Sequence, residues 1–336
     1  MPEIPLMLVA IVAIALVFDF TNGAHDSANA IATVVSTKVL SPRSAVLMAA
    51  ALNLLGAFLG TEVAQTVGGG IVGPDVVAGC NILVLAALLG AIAWNVLTWH
   101  LGIPSSSSHA LVGGLMGSAI AYKGWGAPSY ASIGMKVVLP LLFSPLAGFV
   151  FGYLLMVLLS WIFAKAHPRT VNNTFKKLQI LSSAFMATSH GLNDAQKTMG
   201  IIALALVIFK IQPEVVVPFW VKLACAGAMG LGTALGGWKI VKTMGHKIFK
   251  LEPVHGFAAE TAASLVILGA SAIGSPISTT HTISTAVIGV GASKRFSAVR
   301  WGVAMNLVVA WVLTIPAAAL VAWLFFWGLD LAGVGR

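Results

Sequence analysis

Carboxylate, amide and ammonium groups fall within two otherwise apolar regions of this sequence. They lie at residues 19–29 and 190–197 and comprise Asn22, Asp26, Asn29, Asn193, Asp194 and Lys197. An ionised carboxylate at the centre of a bilayer costs at least ~2.5 kcal/mol on insertion scales, so such residues usually mark a path for ions or substrate. We therefore predict that this set, together with Glu260 in a third apolar stretch, lines an ion pathway.

The Asn22-Gly23 pair predicts an interruption of the first helix. Glycine is a poor helix former, and asparagine offers its side chain to the local backbone. Asp26 and Asn29 are spaced i, i+3 and can face one cavity if the helix resumes after the break. The alternative is that residues 19–29 form a hydrated loop outside the bilayer.

Two runs of hydroxyl residues follow proline and precede histidine. They are Ser105, Ser106, Ser107 and Ser108 before His109, and Ser278, Thr279 and Thr280 before His281. Single serines and threonines cap helices, but these runs exceed what capping requires. A helix N-terminus presents free N–H groups and a positive dipole end, to which hydroxyls add donors. Two such cradles suit an oxyanion, and we predict that all seven hydroxyl residues bind it.

Four histidines belong to these segments: His25, His109, His190 and His281. Histidine can carry a proton near neutral pH, although packing or orienting a hydroxyl explains the two after the hydroxyl runs equally well. The presence of serine and histidine in apolar segments also suggests an alternative function, an intramembrane serine hydrolase. That alternative is less favoured because side chains of adjacent residues diverge on a helix, and a hydrolase does not need both clusters twice.

The sequence contains an internal duplication. Asn22–Asp26 matches His190–Asp194 at an offset of 168 residues, Leu55–Gly60 matches Leu231–Gly236 at 176, and Gly102–His109 matches Gly274–His281 at 172. Three collinear matches at nearly constant offset predict two structural repeats.

Composition places the chain in a membrane. Of 336 residues, 58% are hydrophobic and 9% are charged, far below the roughly one quarter of a soluble domain. Several apolar stretches approach or exceed the roughly 20 residues needed to cross a bilayer. The net charge of +9 is concentrated in short connections, as in cytoplasmic loops, and not in a basic groove for nucleic acid.

The charge pattern favours repeats of opposite orientation. The connection 61–75 holds two acidic residues and no Lys or Arg, whereas its counterpart 238–250 holds four lysines. We predict a first transmembrane repeat at 1–164, a basic cytoplasmic connection at 165–177 and a second repeat at 178–336. The expected fold is an all-α integral membrane protein with two inverted repeats, broken helices and two re-entrant hairpins.

The duplicated motifs resemble those of the inorganic phosphate transporter (PiT) family. The residues are Asn-Gly-Ala-His-Asp-Ser-Ala-Asn at 22–29, His-Gly-Leu-Asn-Asp-Ala-Gln-Lys at 190–197, and the two proline–hydroxyl segments. The resemblance covers essentially the whole chain and implies a multi-pass cell-membrane symporter that imports inorganic phosphate with H⁺ or Na⁺. A carrier of sulfate or another oxyanion from the same family is the alternative.

Lys197 departs from simple repetition, because it aligns with Asn29 at the same offset of 168. We hypothesise that its ammonium neutralises Asp194 or the anion and favours proton over sodium coupling; the alternative is a surface lysine that reaches the headgroups. We predict no cofactor besides the coupling ion, no resident metal and no nucleic-acid partner. A homodimer is compatible with the sequence.

Overall fold

The regular structure of the described residues is helical. The computed structural model describes residues 5–70, 80 and 82–334. The α-helices are α1 Leu6–Ser36, α2 Pro42–Gly56, α3 Glu62–Gly70, α4 Ile82–Leu101, α5 Ser107–Lys123, α6 Tyr130–Ile133, α7 Leu139–Ile162, α8 Pro168–Ile208, α9 Phe219–Leu235, α10 Trp238–Lys242, α11 Pro253–Ala272, α12 Thr279–Lys294 and α13 Trp301–Leu331. Short π-helical turns at Gly134–Val138 and Thr243–Lys247 precede α7 and follow α10.

Several of these helices can span a bilayer. Five of the described helices are long and apolar enough to do so: α1, α4, α7, α11 and α13. A sixth span results if α9 and the segment Trp238–Lys247, which meet at 60°, are counted together. The predicted all-helical, multi-pass membrane architecture is confirmed.

The predicted break at Asn22-Gly23 is wrong. Helix α1 runs without interruption from Leu6 to Ser36, and α8 is likewise continuous through Gly191. Glycine serves here for close packing, since a Cβ atom on Gly23 would lie 2.4 Å from the Met229 carbonyl oxygen of α9. The bend that the structure does contain lies between α9 and α10, where Gly236 adopts a φ of +79°.

Matched glycines of the two repeats pack crosswise. A Cβ on Gly191 of α8 would lie 2.1 Å from the Asn53 carbonyl oxygen of α2, just as Gly23 of α1 meets α9. The partner helices also carry glycines at these crossings. Gly56 of α2 packs against the Thr188 carbonyl oxygen of α8, and Gly232 of α9 packs against the Phe20 carbonyl oxygen of α1. Thus α1 crosses α9 as α8 crosses α2, and each crossing joins one half of the chain to the other.

The hydroxyl-bearing segments begin two short helices that also exchange partners between repeats. Helix α5, of 17 residues, packs on α13 of the second half, while α12, of 16 residues, packs on α7 of the first. A Cβ on Gly117 would lie 2.0 Å from the Ala319 carbonyl oxygen. Both helices are shorter than the roughly 20 residues of a full span, which accords with the prediction of re-entrant hairpins without deciding it.

The basic segment 165–177 contains little loop. Helix α8 begins at Pro168, and the side chain of His167 accepts a hydrogen bond from the Arg169 N–H at 3.3 Å. The segment 238–250, compared above with 61–75, is also largely helical. Asp75, one of the two acidic residues of 61–75, lies outside the described residues. The inverted orientation and the boundaries 1–164, 165–177 and 178–336 stay predictions.

Candidate functional site

The two predicted hydroxyl runs begin helices, and one residue of each acts as a cap. The side chain of Ser106 accepts from the His109 N–H at 3.3 Å, and the side chain of Ser278 accepts from the His281 N–H at 3.2 Å. These equivalent serines satisfy backbone donors at the starts of α5 and α12. The hydroxyls of Ser108, Thr279 and Thr280 are directed elsewhere.

The start of α12 contacts both aspartates of the duplicated motif. Thr280 donates a hydrogen bond to Asp26 Oδ1 at 3.2 Å, and Thr279 donates to Asp194 Oδ2 at 2.9 Å. Asn29 donates to the Thr279 and Thr280 hydroxyls at 3.2 and 3.0 Å. All five residues are buried. The structure therefore joins α1, α8 and α12 in one polar centre.

The start of α5 reaches the same centre through Lys197. The Lys197 ammonium donates to the Ser108 hydroxyl at 2.5 Å and to the Ile277 carbonyl oxygen at 2.9 Å, and it forms an ion pair with Asp194. Only 2% of Lys197 is exposed, which excludes the alternative of a surface lysine. The contact with Asp194 agrees with the predicted neutralisation, whereas its effect on ion coupling stays a hypothesis.

Histidines accompany both aspartates. His25 Nδ1 lies 2.6 Å from Asp26 Oδ1, and its Nε2 lies 3.1 Å from the Thr98 hydroxyl and 3.3 Å from that of Ser105. This arrangement connects Asp26 to the end of α4 and to the segment that precedes α5.

The second aspartate has a comparable neighbour in its own helix. His190 Nε2 lies 3.0 Å from Asp194 Oδ2, and its other ring nitrogen lies 3.1 Å from Asn53 Oδ1. One ligand atom each from Asp26, His190 and Asp194 lie within 4.8 Å of one another, so these groups can hold a cation. The sequence did not predict this grouping of His190 with both aspartates, and the expectation that the protein has no resident metal stays a prediction.

Comparisons with known proteins identify the family of this chain. The sequence profile of the phosphate transporter family matches residues 22–172 and 164–322. The chain belongs to this family.

Individual relatives extend the match over nearly the whole chain. It is 50% identical to a probable low-affinity inorganic phosphate transporter of Rhizobium meliloti (strain 1021), over 97% of each chain. It is 47% identical to a protein of the same description from Bacillus subtilis (strain 168), over 94% of each. A solved structure described as "The sodium-dependent phosphate transporter" is similar with a TM-score of 0.89 and 27% identity, covering 97% of this chain and 99% of that one.

The family assignment settles two expectations. It confirms the predicted family, and it confirms that the chain is not an enzyme, because its relatives are named as transporters. The intramembrane hydrolase is therefore not favoured.

Glu260 lies in a second polar cluster, separate from the polar centre around Asp26 and Asp194. Its carboxylate accepts hydrogen bonds from the hydroxyls of Thr33 and Ser182, and the Gln179 amide lies 3.4 Å away. Thr33 lies on α1 two turns after Asp26, but the described hydrogen bonds do not join Glu260 directly to the centre. Its predicted place on a cation pathway stays a prediction.

Three of the predicted residues each have a buried polar atom without a hydrogen-bond partner. Asn193 donates to Ser271 at 2.8 Å, and its Oδ1 has no partner. The Oδ1 atom of Asn22 and the Oγ atom of Ser107 are also buried without a partner. Unpartnered polar atoms in a buried site are available to a ligand, because leaving them unsatisfied costs about 1–3 kcal/mol each.

His109 and His281 pack against each other instead of against the aspartates. Their ring centroids lie 4.7 Å apart, and the His281 ring stacks on Trp311 at 4.0 Å. The indole N–H of Trp311 donates to the Pro104 carbonyl oxygen at 3.0 Å. This geometry shows the packing role that the sequence left open for these histidines, while their role as proton carriers stays a prediction.

Sequence reasoning missed several residues of these clusters. They are Asp19, Thr33, Thr98, Gln179, Ser182 and Gln196, all of them buried. Gln196 accepts from the N–H groups of Val63 and Ala64 at the start of α3. Asp19 carried a usable signal, a carboxylate inside an apolar run, whereas an isolated Thr, Ser or Gln in a membrane helix carries little because such residues commonly bond between helices.

Proposed function

We propose that this protein is a secondary active transporter that imports inorganic phosphate across the cell membrane together with H⁺ or Na⁺. Phosphate is supported by the family assignment and by relatives that are named as inorganic phosphate transporters. Sodium is named for the similar solved structure, and nothing in that name fixes the ion that this chain uses.

The anion site is formed where α5 and α12 begin. Both helices direct their N-termini toward a shared buried centre, and a helix N-terminus combines free N–H groups with a positive dipole end. The hydroxyls of Ser108, Thr279 and Thr280, which now contact Lys197, Asp194 and Asp26, add donors there. Phosphate accepts many hydrogen bonds, so it can replace the contacts that these hydroxyls now make with carboxylates and backbone.

The observation that carries the proposal is that the two threonines of α12 bond directly to Asp26 and Asp194. An anion that binds to these hydroxyls must lie next to two buried carboxylates. A bound anion and two neighbouring carboxylates repel one another strongly in a medium of low dielectric, so binding of the anion requires added positive charge. A co-transported cation supplies that charge, and the need for it couples the two movements.

Lys197 bears on which cation is used. Its ammonium already neutralises Asp194 and contacts Ser108, while Asp26 has only His25 and hydroxyl partners. This fixed ammonium occupies part of the space beside Asp194 that a metal cation would need. This favours proton coupling, with protons carried on Asp26 and its histidine neighbour.

Transport then requires the centre to open alternately to the two sides. Transporters built from repeats commonly do this by moving one repeat or bundle against the other around a fixed site. Here the residues of the site come from both repeats, so relative movement of the repeats changes access to the site. No further cofactor is needed for this cycle.

Radiolabelled phosphate uptake into proteoliposomes tests the proposal. Imposed proton or sodium gradients should drive accumulation that resists excess sulfate and is lost in Asp26→Asn. The matched control is Glu214→Gln, which removes an exposed carboxylate. Uptake of sulfate in place of phosphate would overturn the substrate, and phosphate equilibration indifferent to both gradients would indicate a passive channel instead.

A further inference from the structure

A third buried carboxylate lies apart from the polar centre. Asp19 is in the first half of α1 and is 0% exposed. Its Oδ1 accepts a hydrogen bond from the Thr198 hydroxyl of α8 at 3.0 Å, while its Oδ2 has no hydrogen-bond partner. A carboxylate accepts through both oxygens when it is ionised, so half of its capacity is unused here.

The groups that face Asp19 do not compensate a negative charge. From α8 these are Asp194, which repels it, and Lys197, whose ammonium is bound to Asp194. From α9 the neighbour is the buried thiol of Cys225, a weak donor. An ionised Asp19 would thus be a buried charge without a counterion, which is strongly unfavourable.

A proton on Asp19 removes this penalty and fits an unused acceptor. The Oδ1 of Asn22 is buried without a partner, and Asn22 follows Asp19 by three residues on α1, where side chains face the same way. A protonated carboxyl gains an O–H donor that can use such an oxygen. A metal cation would need a shell of several oxygen ligands, and Asp19 and Asn22 together leave only two oxygens free.

Asp19 is not a product of the internal duplication. At the offset of 168 residues that relates Asp26 to Asp194, the equivalent of Asp19 is Ala187, a buried apolar residue. The carboxyl therefore exists in one half only. Maintaining a buried acid without a repeat counterpart or an ion partner indicates a function other than packing.

We propose that Asp19 is an additional proton-carrying residue of the transport cycle, distinct from Asp26 and Asp194. Asp19 takes up a proton to form the neutral carboxylic acid in the conformation described here, in which it is buried. It releases that proton to water when the repeats move and the residue becomes hydrated. This inference rests on the proposed function, since it adds one proton to those that accompany phosphate.

The test measures proton and phosphate flux together in proteoliposomes, using a trapped pH indicator and radiolabelled phosphate. Asp19→Asn keeps the size and hydrogen-bonding shape of the neutral acid but carries no exchangeable charge. We expect it to retain phosphate–phosphate exchange, to move one proton fewer per phosphate than the unmodified protein, and to accumulate less phosphate under a proton gradient. Glu214→Gln should leave both the ratio and the accumulation unchanged.

An infrared measurement reads the proton without depending on transport. The purified protein should show the carbonyl band of a protonated carboxyl group that is missing in Asp19→Asn and retained, with a shifted position, in Asp19→Glu. This readout keeps the inference testable if Asp19→Asn loses transport altogether.

The outcomes separate the two proposals. An unchanged proton-to-phosphate ratio in Asp19→Asn, or the same infrared carboxyl bands with and without Asp19, would overturn the inference while phosphate transport stands. Sodium-driven uptake without proton movement in the unmodified protein would also overturn it. If the unmodified protein moves no phosphate under any gradient, the proposed function itself fails.

Discussion

His109 and His281 occupy equivalent positions in the two repeats, and their rings lie 4.7 Å apart. The first turns of α5 and α12, which carry these histidines, therefore lie next to each other. This convergence also brings Lys197, from α8, within 2.5 Å of Ser108 of α5.

Removing either threonine hydroxyl of α12 should weaken phosphate uptake. Thr279→Val and Thr280→Val keep the side-chain shape but leave Asp194 or Asp26 without one donor. The phosphate concentration for half-maximal uptake should rise roughly tenfold, since a hydrogen bond to a charged group contributes about 1.5–3 kcal/mol.

Thr285→Val is the matched control, because Thr285 lies in the same helix and bonds to the His281 carbonyl oxygen at 2.9 Å. Uptake by this variant should stay near that of the unmodified protein. Equal losses in all three variants would assign the threonines to helix packing instead of to the anion.

Lys197→Asn should change ion dependence as well as stability. The substitution leaves Asp194 without its ammonium partner, and breaking a buried ion pair costs about 3–5 kcal/mol. A metal cation can then occupy the place of the ammonium. Phosphate uptake by the variant should therefore gain dependence on a sodium gradient, and the variant protein should become more stable to heat when sodium is added. Both are measured in parallel, by uptake and by thermal unfolding in detergent.

Lys177→Asn serves as its control, since Lys177 is exposed on the same helix. If ion dependence in Lys197→Asn matches that of the unmodified protein, the coupling role of Lys197 is wrong, whatever its effect on stability.

Glycine at the helix crossings should be required for folding. Gly23→Ala places a Cβ atom 2.4 Å from the Met229 carbonyl oxygen, and Gly191→Ala places one 2.1 Å from that of Asn53. Because backbone must move in each case, we expect destabilisation of about 1–3 kcal/mol or more. Thermal unfolding of the purified variants measures it.

Gly227 of α9 offers the opposite case, because a Cβ atom there meets nothing within 4 Å. Gly227→Ala should therefore be neutral or stabilising, by up to about 1 kcal/mol from helix propensity. Comparable losses at Gly23 and Gly227 would show that helix crossing does not explain the glycines.

Glu260→Gln should reduce coupling without removing phosphate binding. The amide keeps one oxygen, so one of the two hydroxyls of Thr33 and Ser182 must accept from its NH₂ group instead of donating. The amide carries no charge and does not titrate, so gradient-driven accumulation should fall while phosphate–phosphate exchange persists. Both are measured in proteoliposomes beside Glu214→Gln. Undiminished accumulation would remove Glu260 from the cation pathway.

The family, the membrane location and the all-helical fold could be predicted from the sequence by itself. Composition excludes a water-facing surface, and the paired motifs carry the family resemblance. Asp26, Asp194 and the hydroxyl runs are also identifiable without coordinates, because charged and polar residues are expensive in a bilayer and stand out in apolar sequence.

Other features were decided by tertiary structure. Gly23 indicated a helix break from propensity, yet α1 is continuous because α9 crosses it at that glycine and the close contact outweighs the weak local preference. Local sequence cannot decide whether Lys197 is buried or at the surface. The structure shows it to be buried, with Ser108 of α5 and the carbonyl of Ile277, in the segment before α12, in contact with its ammonium.

The partners of a polar residue are the hardest to read from sequence. Thr280 meets Asp26 across 254 positions and Thr33 meets Glu260 across 227, and no local pattern encodes such pairs. The sequence by itself determined which groups must avoid lipid. Only helix packing decided which of them share a site, because partners such as Thr280 and Asp26 lie on helices that are distant in the sequence.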